Sequence, residues 1–224
     1  MVYLAMMRYL ILMFSLTVFF SCQKEELSVQ EAQIEEQQAN ALNAQLMGLI
    51  QTVASHDGAF DDVIDNSACY SINFPYTCFF NGELYAVNSA ADLVPFANED
   101  NIVPEFPVTI TYANYENEVV NNLAEFQALA EQCNNGNIFN EKITCLDVIY
   151  PVTLALYDSN NSSFDSKQLS DDKETFLNMN SFPSNILVSI NYPIEVTYNN
   201  GTRIRLTKND DLETEIITAK EICN

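Results

Sequence analysis

The sequence contains no tryptophan, only one histidine and only five glycines. A single histidine cannot build a histidine-rich zinc site, and any Ser-His-Asp or Cys-His triad would have to use His56. No Gly-x-Ser-x-Gly motif marks a serine nucleophile, and so few glycines leave no glycine-rich loop to bind phosphate. We therefore expect no catalytic residues, no metal ligands and no cofactor, and we expect His56 to be a solvated loop residue.

Basic residues are also scarce, with 9 Lys and Arg against 31 Asp and Glu and a formal net charge of -22. This excess of negative charge argues against nucleic acid or anionic lipid as a partner, because no basic patch is available to neutralise phosphates. Arg203 and Arg205 would share one face of a strand, where they either bind an anion or, as we expect, neutralise neighbouring carboxylates. The basic residues after Lys24 are Lys142, Lys167, Lys173, Arg203, Arg205, Lys208 and Lys220.

Two acidic segments, Asp57 to Asp65 and Asp158 to Asp172, offer oxygen ligands of the kind that calcium prefers. The pattern Asp158-x-Asn160-x-Ser162 lacks the sixth-position glycine and the twelfth-position glutamate of an EF-hand loop. We therefore predict that both segments are solvated acidic loops and not calcium sites.

The N-terminus has the order of an export signal, with Arg8 followed by the uncharged run Tyr9 to Phe20. That run is too short to span a bilayer as a helix. Ser21-Cys22 at its end resembles the lipobox of bacterial lipoproteins, which implies that residues 1–21 are a signal peptide and that Cys22 is acylated. The following Gln23 to Glu26 resemble the surface-export signal of Bacteroidota lipoproteins, which implies a lipid-anchored, surface-exposed protein of the outer membrane. The alternative is an ordinary secretory signal with a chance cysteine.

Residues 22–66 are predicted to form a tether and an N-terminal helix. Ser28-Val29-Gln30-Glu31 fits a capping box, so the helix should begin near Val29 and end at His56-Asp57-Gly58. Glu31 to Asn43 has little apolar face and is predicted to be a spacer, while the second half should pack on the core. A coiled-coil partner is the alternative, but the sustained heptads it needs are missing. The apolar positions at helical spacing are Leu42, Leu46, Leu49, Ile50 and Val53.

The rest of the chain is a repeat, with one copy at residues 67–135 and the other at residues 136–224. Cys69 to Thr77 and Cys145 to Thr153 share a cysteine, five residues, a proline, an apolar residue and a threonine. Each copy has a second aromatic-proline strand, Phe106 to Tyr112 or Tyr192 to Tyr198, and ends with a helical segment and a cysteine. Two similar units at this spacing predict two homologous halves of the same fold.

Apolar residues alternate along these strands, which predicts antiparallel strands with one buried face. Asn81-Gly82 and Asn200-Gly201 stand between apolar runs and predict type I′ hairpin turns. Prolines at the strand starts predict sheet edges or bulges. The fold class that follows is α+β and β-rich, with an N-terminal helix followed by two homologous antiparallel β-hairpin and helix repeats.

Acylation of Cys22 would leave five cysteines in an oxidising compartment, so one remains unpaired. Cys78 occupies an inward strand position and is predicted to be a buried free thiol. The repeat makes Cys69 equivalent to Cys145 and Cys133 equivalent to Cys223, which predicts the disulfides Cys69–Cys133 and Cys145–Cys223. The rival pairing, Cys133–Cys145 with Cys69–Cys223, stays open at this point.

Few features point to a ligand. Tyr85, Tyr115 and Tyr157 lie near predicted hairpin loops and are candidate exposed platforms for a glycan, whereas most other aromatic residues fall on the inward face. The segment Ser55 to Gly58, the Cys69 block and the Phe/Tyr-Pro-apolar-Thr strands resemble a group of flavobacterial surface lipoproteins with paired repeats. This resemblance implies no particular activity and carries over no functional residue.

The function expected from these features is a non-catalytic surface binding module for an envelope protein, a peptide or a glycan. The alternatives are a hydrolase that uses carboxylates in an acidic cleft and a structural component of the envelope.

Overall fold

The computed structural model describes residues 21–97, 99 and 102–223, with side chains for 29, 31–97, 99 and 102–223. The described chain is α+β and β-rich, with 6 α-helices and 12 strands paired antiparallel in small sheets. It begins with helices α1 (Ser21–Ala39) and α2 (Ala44–Ala54), a 3₁₀ turn (Ala59–Asp61) and the short helix α3 (Asp62–Asp65). No helix in this part of the chain combines the length and apolar character that a membrane crossing requires.

The first half contains six strands and two helices. In chain order they are β1 (Tyr70–Ile72), β2 (Tyr76–Phe80), β3 (Glu83–Val87), a 3₁₀ helix (Ala90–Phe96), β4 (Val103–Pro104), β5 (Val108–Tyr112), β6 (Asn117–Val120) and α4 (Leu123–Asn134).

The second half repeats this order with longer elements. They are β7 (Leu146–Ile149), β8 (Val152–Asp158), β9 (Ser163–Leu169), α5 (Asp172–Met179), β10 (Ile186–Ile190), β11 (Ile194–Tyr198), β12 (Arg203–Leu206) and α6 (Asn209–Ile222).

Each half consists of two similar units that exchange their first strands. Within each unit a strand is followed by an aromatic residue and a proline, a hairpin and a helix. The first strand pairs with the hairpin of the other unit, which gives four three-stranded sheets: sheet I (β4-β2-β3), sheet II (β1-β5-β6), sheet III (β10-β8-β9) and sheet IV (β7-β11-β12). The four aromatic-proline peptide bonds are cis and lie where the chain passes from one sheet to another: Phe74-Pro75, Phe106-Pro107, Tyr150-Pro151 and Tyr192-Pro193.

The four helices that close these units begin with the same hydrogen bond. A carboxylate in the first turn accepts from the backbone N–H four residues earlier, which satisfies a donor at the helix start. The residue pairs are Asn88 with Asp92, Asn121 with Glu125, Ser170 with Glu174 and Thr207 with Asp211. The helices that close the first unit of each half, Ala90–Phe96 and Asp172–Met179, were not predicted.

The apolar residues form two separate buried clusters, one in each half. Helix α2 precedes the first half in the chain, but its buried residues Leu46, Ile50 and Val53 belong to the cluster of the second half. Gln51 Nε2 donates to the Phe176 carbonyl at 3.0 Å, and Ile143 N–H donates to the Thr52 carbonyl at 3.0 Å. The predicted packing of this segment is therefore confirmed, and its site is the second repeat.

The predicted start and continuity of the N-terminal helix are wrong. Ser28 lies inside α1, and the chain leaves the helical conformation before Asn43, whose side chain caps α2 through Leu46 N–H at 2.8 Å. The predicted spacer also contacts the body, because Gln37 is only 7% exposed and donates to the Ala155 carbonyl at 2.8 Å. Of the predicted signal peptide, residues 1–20 lie outside the described chain, and only the backbone of Cys22 is described, within α1.

Of the two predicted type I′ hairpin turns, one is confirmed and the other is wrong. Asn81 and Gly82 both have positive φ, as a type I′ turn requires. At Asn200-Gly201 the type I′ prediction is wrong, because the loop is longer and only Gly201 of the two has positive φ. The equivalent loop of sheet II has the same two backbone hydrogen bonds, with Tyr115 in the left-handed conformation that Gly201 adopts.

Candidate functional site

An aspartate pair, Asp61 and Asp65, is buried between the segment after α2 and strand β1. Asp61 is 0% exposed and accepts from Ile72 N–H at 2.7 Å, while Asp65 is 2% exposed and accepts from Ser67 N–H at 3.0 Å. Gly58 permits this packing, because a Cβ there would lie 2.7 Å from the backbone nitrogen of Tyr70. The prediction of a solvated acidic loop is wrong for this segment.

Burial changes the protonation of this pair. The second oxygen of each carboxyl and the Tyr76 hydroxyl have no hydrogen-bond partner among the described residues. Desolvation raises the pKa of both Asp61 and Asp65. Repulsion from Asp61 raises the pKa of Asp65 further, and repulsion from Asp62 and Asp57 does the same for Asp61. The pair therefore holds protons where exposed aspartates are ionised, and its closure to solvent denies a substrate access. Its evident role is to fix the segment after α2 against β1.

His56 lies beside this segment and is half-buried, so the prediction of a solvated histidine is wrong. Its Nε2 is 2.6 Å from Ser71 Oγ, and its ring contacts Phe60 and Tyr115 edge-on. Desolvation lowers the pKa of His56, so the imidazole is neutral near pH 7. A hydrogen bond to one serine and two aromatic contacts describe a packed histidine, and no carboxylate of the described residues hydrogen-bonds to the ring.

The cysteines are paired as the repeat predicts. Disulfides join Cys69 to Cys133 and Cys145 to Cys223, with Cα atoms 5.9 Å apart in both cases. Cys78 is a free, fully buried thiol, and desolvation raises its pKa. A protonated, inaccessible sulfur is a poor nucleophile.

The basic and acidic residues considered as an anion site or as calcium ligands form no assembled site in the described chain. No group of three or more His, Cys, Asp or Glu side chains there is arranged to hold a metal ion. Arg203 and Arg205 are exposed on β12, and Arg205 lies opposite Glu195 in the register. The ion pairs found among the described residues involve Lys142, Lys208 and Lys220.

Two of the three predicted aromatic platforms pack against other parts of the protein and are not free to stack on a glycan. Tyr157 is buried, which makes that prediction wrong, and its ring packs against that of Phe164 at 4.9 Å between centroids. Tyr115 is half-buried, and its hydroxyl donates to the Ala54 carbonyl at 2.9 Å. Tyr85 is exposed, although its ring packs against Phe80 and Phe96.

The concave features differ in size and character. A void of about 20 Å³ lies within the apolar core of the second half and is too small for a ligand. An open groove of about 1030 Å³ runs along α3 and α4, with Asp62, Asp65 and Glu131 among its lining residues. This groove is shallow and negatively charged, and only an edge of the buried aspartate pair borders it.

The clearest asymmetry lies on the outer faces of the four sheets, opposite the cores. A row here means three residues that lie side by side across a sheet, one from each strand. In each sheet one outer row has at its centre the residue four positions after the proline of the unit, so the four rows are equivalent. The rows are Phe79 with Leu84 and Val103 in sheet I, Thr111 with Asn117 and Ser71 in sheet II, Ala155 with Ser166 and Ser189 in sheet III, and Thr197 with Arg203 and Asp147 in sheet IV.

Three of these rows are either covered by a side chain from elsewhere in the protein or composed of polar residues. In sheet II the ring of His56 covers Ser71, and in sheet III the side chain of Gln37 covers Ser189, whose Oγ donates to Gln37 Oε1 at 3.0 Å. The row of sheet IV carries an arginine and an aspartate and is solvated.

The row of sheet I is apolar and open. Phe79 is 44% exposed, Leu84 is 55% exposed, and Val103 beside them is half-buried. Phe79 lies directly opposite both neighbours in the register, so the three side chains form one continuous strip across the sheet. We call these three residues the open row.

Comparison with family models, curated proteins and solved structures finds no match to this chain.

Reasoning from the sequence missed the open row for an identifiable reason. Cys78 was correctly placed facing inward, which puts its neighbour Phe79 on the outer face. Phe79 alone is an ordinary exposed aromatic residue, and exposed single apolar side chains are normal. The row appears only when the hairpin register brings Leu84 beside Phe79 and the strand exchange brings Val103 from the other unit.

Proposed function

We propose that this protein is a lipid-anchored outer-membrane protein that acts at the cell surface as a non-catalytic binding module for another protein. The proposed anchor is the acylated Cys22, and the proposed contact surface is the open row of sheet I. The observation that carries the proposal is that this row is apolar and exposed, whereas the equivalent rows are covered or polar.

The energetics favour a protein partner for such a strip. Burial of apolar surface contributes roughly 25 cal/mol per Å², so an occupant of the open row gains stabilisation that solvent does not provide. Contiguous exposed apolar side chains mark interaction sites more often than scattered ones do. A glycan is less favoured, because Tyr157 and Tyr115, two of the three candidate platforms, are buried or half-buried.

The test is co-isolation from the envelope of the cells that carry the native gene. The wild-type chain should retain a partner that the double variant Phe79→Ser with Leu84→Ser loses. Val119→Ser is the matched control, because Val119 is also 55% exposed and lies on edge strand β6 of sheet II. Retention of every bound protein by the double variant would refute the proposal.

A carboxylate-based hydrolase is the second candidate, since Asp61 and Asp65 have raised pKa values and Asp65 borders the groove along α3 and α4. A hydrolytic acid must reach its substrate, and these side chains are 0% and 2% exposed. Turnover of a substrate by the wild type and its loss in Asp65→Asn, with the stability of the variant unchanged, would support this candidate.

A further inference from the structure

The outer face of these sheets accepts a helix, as sheet III demonstrates. Helix α1 lies across it, where Gln37 donates to the Ala155 carbonyl at 2.8 Å and accepts from Ser189 Oγ at 3.0 Å. The row below the helix consists of Ala155, Ser166 and Ser189, whose small side chains allow close approach. The open row occupies the equivalent place in sheet I and has no such cover among the described residues.

The side chains of the open row select a different kind of helix. Phe79 and Leu84 project where sheet III has Ala155 and Ser166, so a polar residue such as Gln37 would be desolvated there without a partner. A helix with an apolar stripe is favoured on the open row, because each contact then removes apolar surface of both the helix and the sheet from water. The occupant is therefore an amphipathic helix with its apolar face toward the sheet.

The charge of the surroundings determines the polar face of that helix. No lysine or arginine occurs between Lys24 and Lys142, so the whole first half lacks basic residues. Residues 67–135 contain nine Asp and Glu and no Lys or Arg. Glu105 is exposed directly after β4, and its backbone N–H donates to the Thr77 carbonyl, which places it on the same face of sheet I as Val103 and the open row. Electrostatic complementarity favours a basic helix.

The same charges argue against a second copy of this chain as the occupant. Helix α1, the element that covers sheet III, carries exposed Glu31, Glu35 and Glu36. A copy of α1 on the open row would bring these carboxylates to the same face as Glu105 in a half of the chain that has no basic residue, and like charges repel.

We propose that the open row docks a basic amphipathic α-helix of a partner protein. This inference rests on the proposed binding function and specifies the chemistry of the partner. Phe79, Leu84 and Val103 contact the apolar stripe of the helix, and Glu105 together with the negative charge of the first half attracts its lysine and arginine side chains.

The test uses three synthetic peptides and the full chain. One peptide is a leucine and lysine helix with an apolar stripe, the second replaces every lysine with glutamate, and the third has the lysine composition with the stripe scrambled. Each carries one tryptophan, whose fluorescence reports binding without interference because the chain contains none. The striped lysine peptide should bind, and both other peptides should bind about tenfold or more weakly.

Substitution separates docking from general attraction to an acidic surface. The double variant Phe79→Ser with Leu84→Ser should bind the striped lysine peptide about tenfold or more weakly than the wild type. Val119→Ser should bind it with unchanged affinity. Hydrogen exchange on the unsubstituted chain provides a second readout, and the peptide should protect β2 and β3. Equal affinity in the double variant, equal binding of the glutamate peptide, or protection elsewhere would overturn the inference.

Two further outcomes separate this inference from the proposed function. If the double variant loses its envelope partner but the striped lysine peptide does not bind the wild type, the binding function stands and the basic helix is wrong. If the wild-type chain dimerises in sedimentation experiments and the double variant does not, the occupant is a second copy and the inference is likewise wrong.

Discussion

Raising the pH from 4 to 8 should destabilise this protein through its buried aspartates, and Asp61→Asn should remove much of that effect. Burial raises the pKa of Asp61 from an ordinary 3.8 to about 7. Between these values the native state keeps a proton that the unfolded chain has released, so the free energy of unfolding falls as pH rises. The stabilisation is fully present below about pH 4 and is lost as the pH passes through 7.

The size of the effect follows from that difference. A change of about 3 pKa units corresponds to roughly 4 kcal/mol of unfolding free energy. Asparagine at position 61 keeps a carbonyl oxygen for Ile72 N–H, which donates to Asp61 at 2.7 Å in the wild type, and removes the charge. The variant should therefore match the wild type at pH 4 and exceed it by about 2–4 kcal/mol at pH 8.

Urea denaturation at pH 4, 6 and 8 measures this directly. Glu131→Gln is the control, because Glu131 is exposed and the substitution removes one negative charge from the same half. Subtracting its effect corrects for the general repulsion in so acidic a protein. If Asp61→Asn is less stable than the wild type at pH 8, or if its stability relative to the control does not change with pH, the reasoning is refuted.

Three other predictions concern backbone and sulfur. Gly58→Ala should lower the free energy of unfolding by about 2 kcal/mol or more, because its Cβ meets backbone atoms, whereas Gly48→Ala on an open helix surface should raise it by about 1 kcal/mol. Thermal denaturation of the two variants checks this, and equal shifts would contradict it. Removal of the Cys145–Cys223 disulfide should lower the free energy of unfolding by about 4 kcal/mol on the chain-entropy model, given a sequence separation of 78. Guanidinium denaturation measures this loss, and a loss below about 1 kcal/mol would count against the prediction. Iodoacetamide should leave Cys78 unlabelled until the protein unfolds; peptide mapping that finds it labelled in the native protein would show that the thiol is accessible.

The sequence predicts what depends on local patterns. Alternation placed Val108, Ile110 and Cys78 on the buried side, and helical spacing placed Leu46 and Ile50 in the core. The internal repeat predicts the cysteine pairing, because equivalent cysteines in homologous halves have equivalent surroundings.

The remaining features depend on contacts between distant residues. The exchange of first strands between units leaves no local signal, since β1 and β4 carry the same alternation whichever hairpin they join. The burial of Asp61 depends on a backbone donor of β1, and an aspartate in an acidic segment ordinarily predicts a solvated side chain. The two missed helices did have a signal, because Ser89 with Asp92 and Asp171 with Glu174 have capping-box spacing.

Photo-crosslinking from the open row tests the central claim most directly. Phe79 is replaced by p-benzoylphenylalanine in the full chain, expressed in cells that carry the native gene, and Val119 is replaced in the same way as the control. Because Phe79 is proposed to lie in the interface and Val119 is not, irradiation should yield a discrete protein adduct from position 79 and none from position 119. No adduct from position 79, or the same adducts from both positions, would contradict the account.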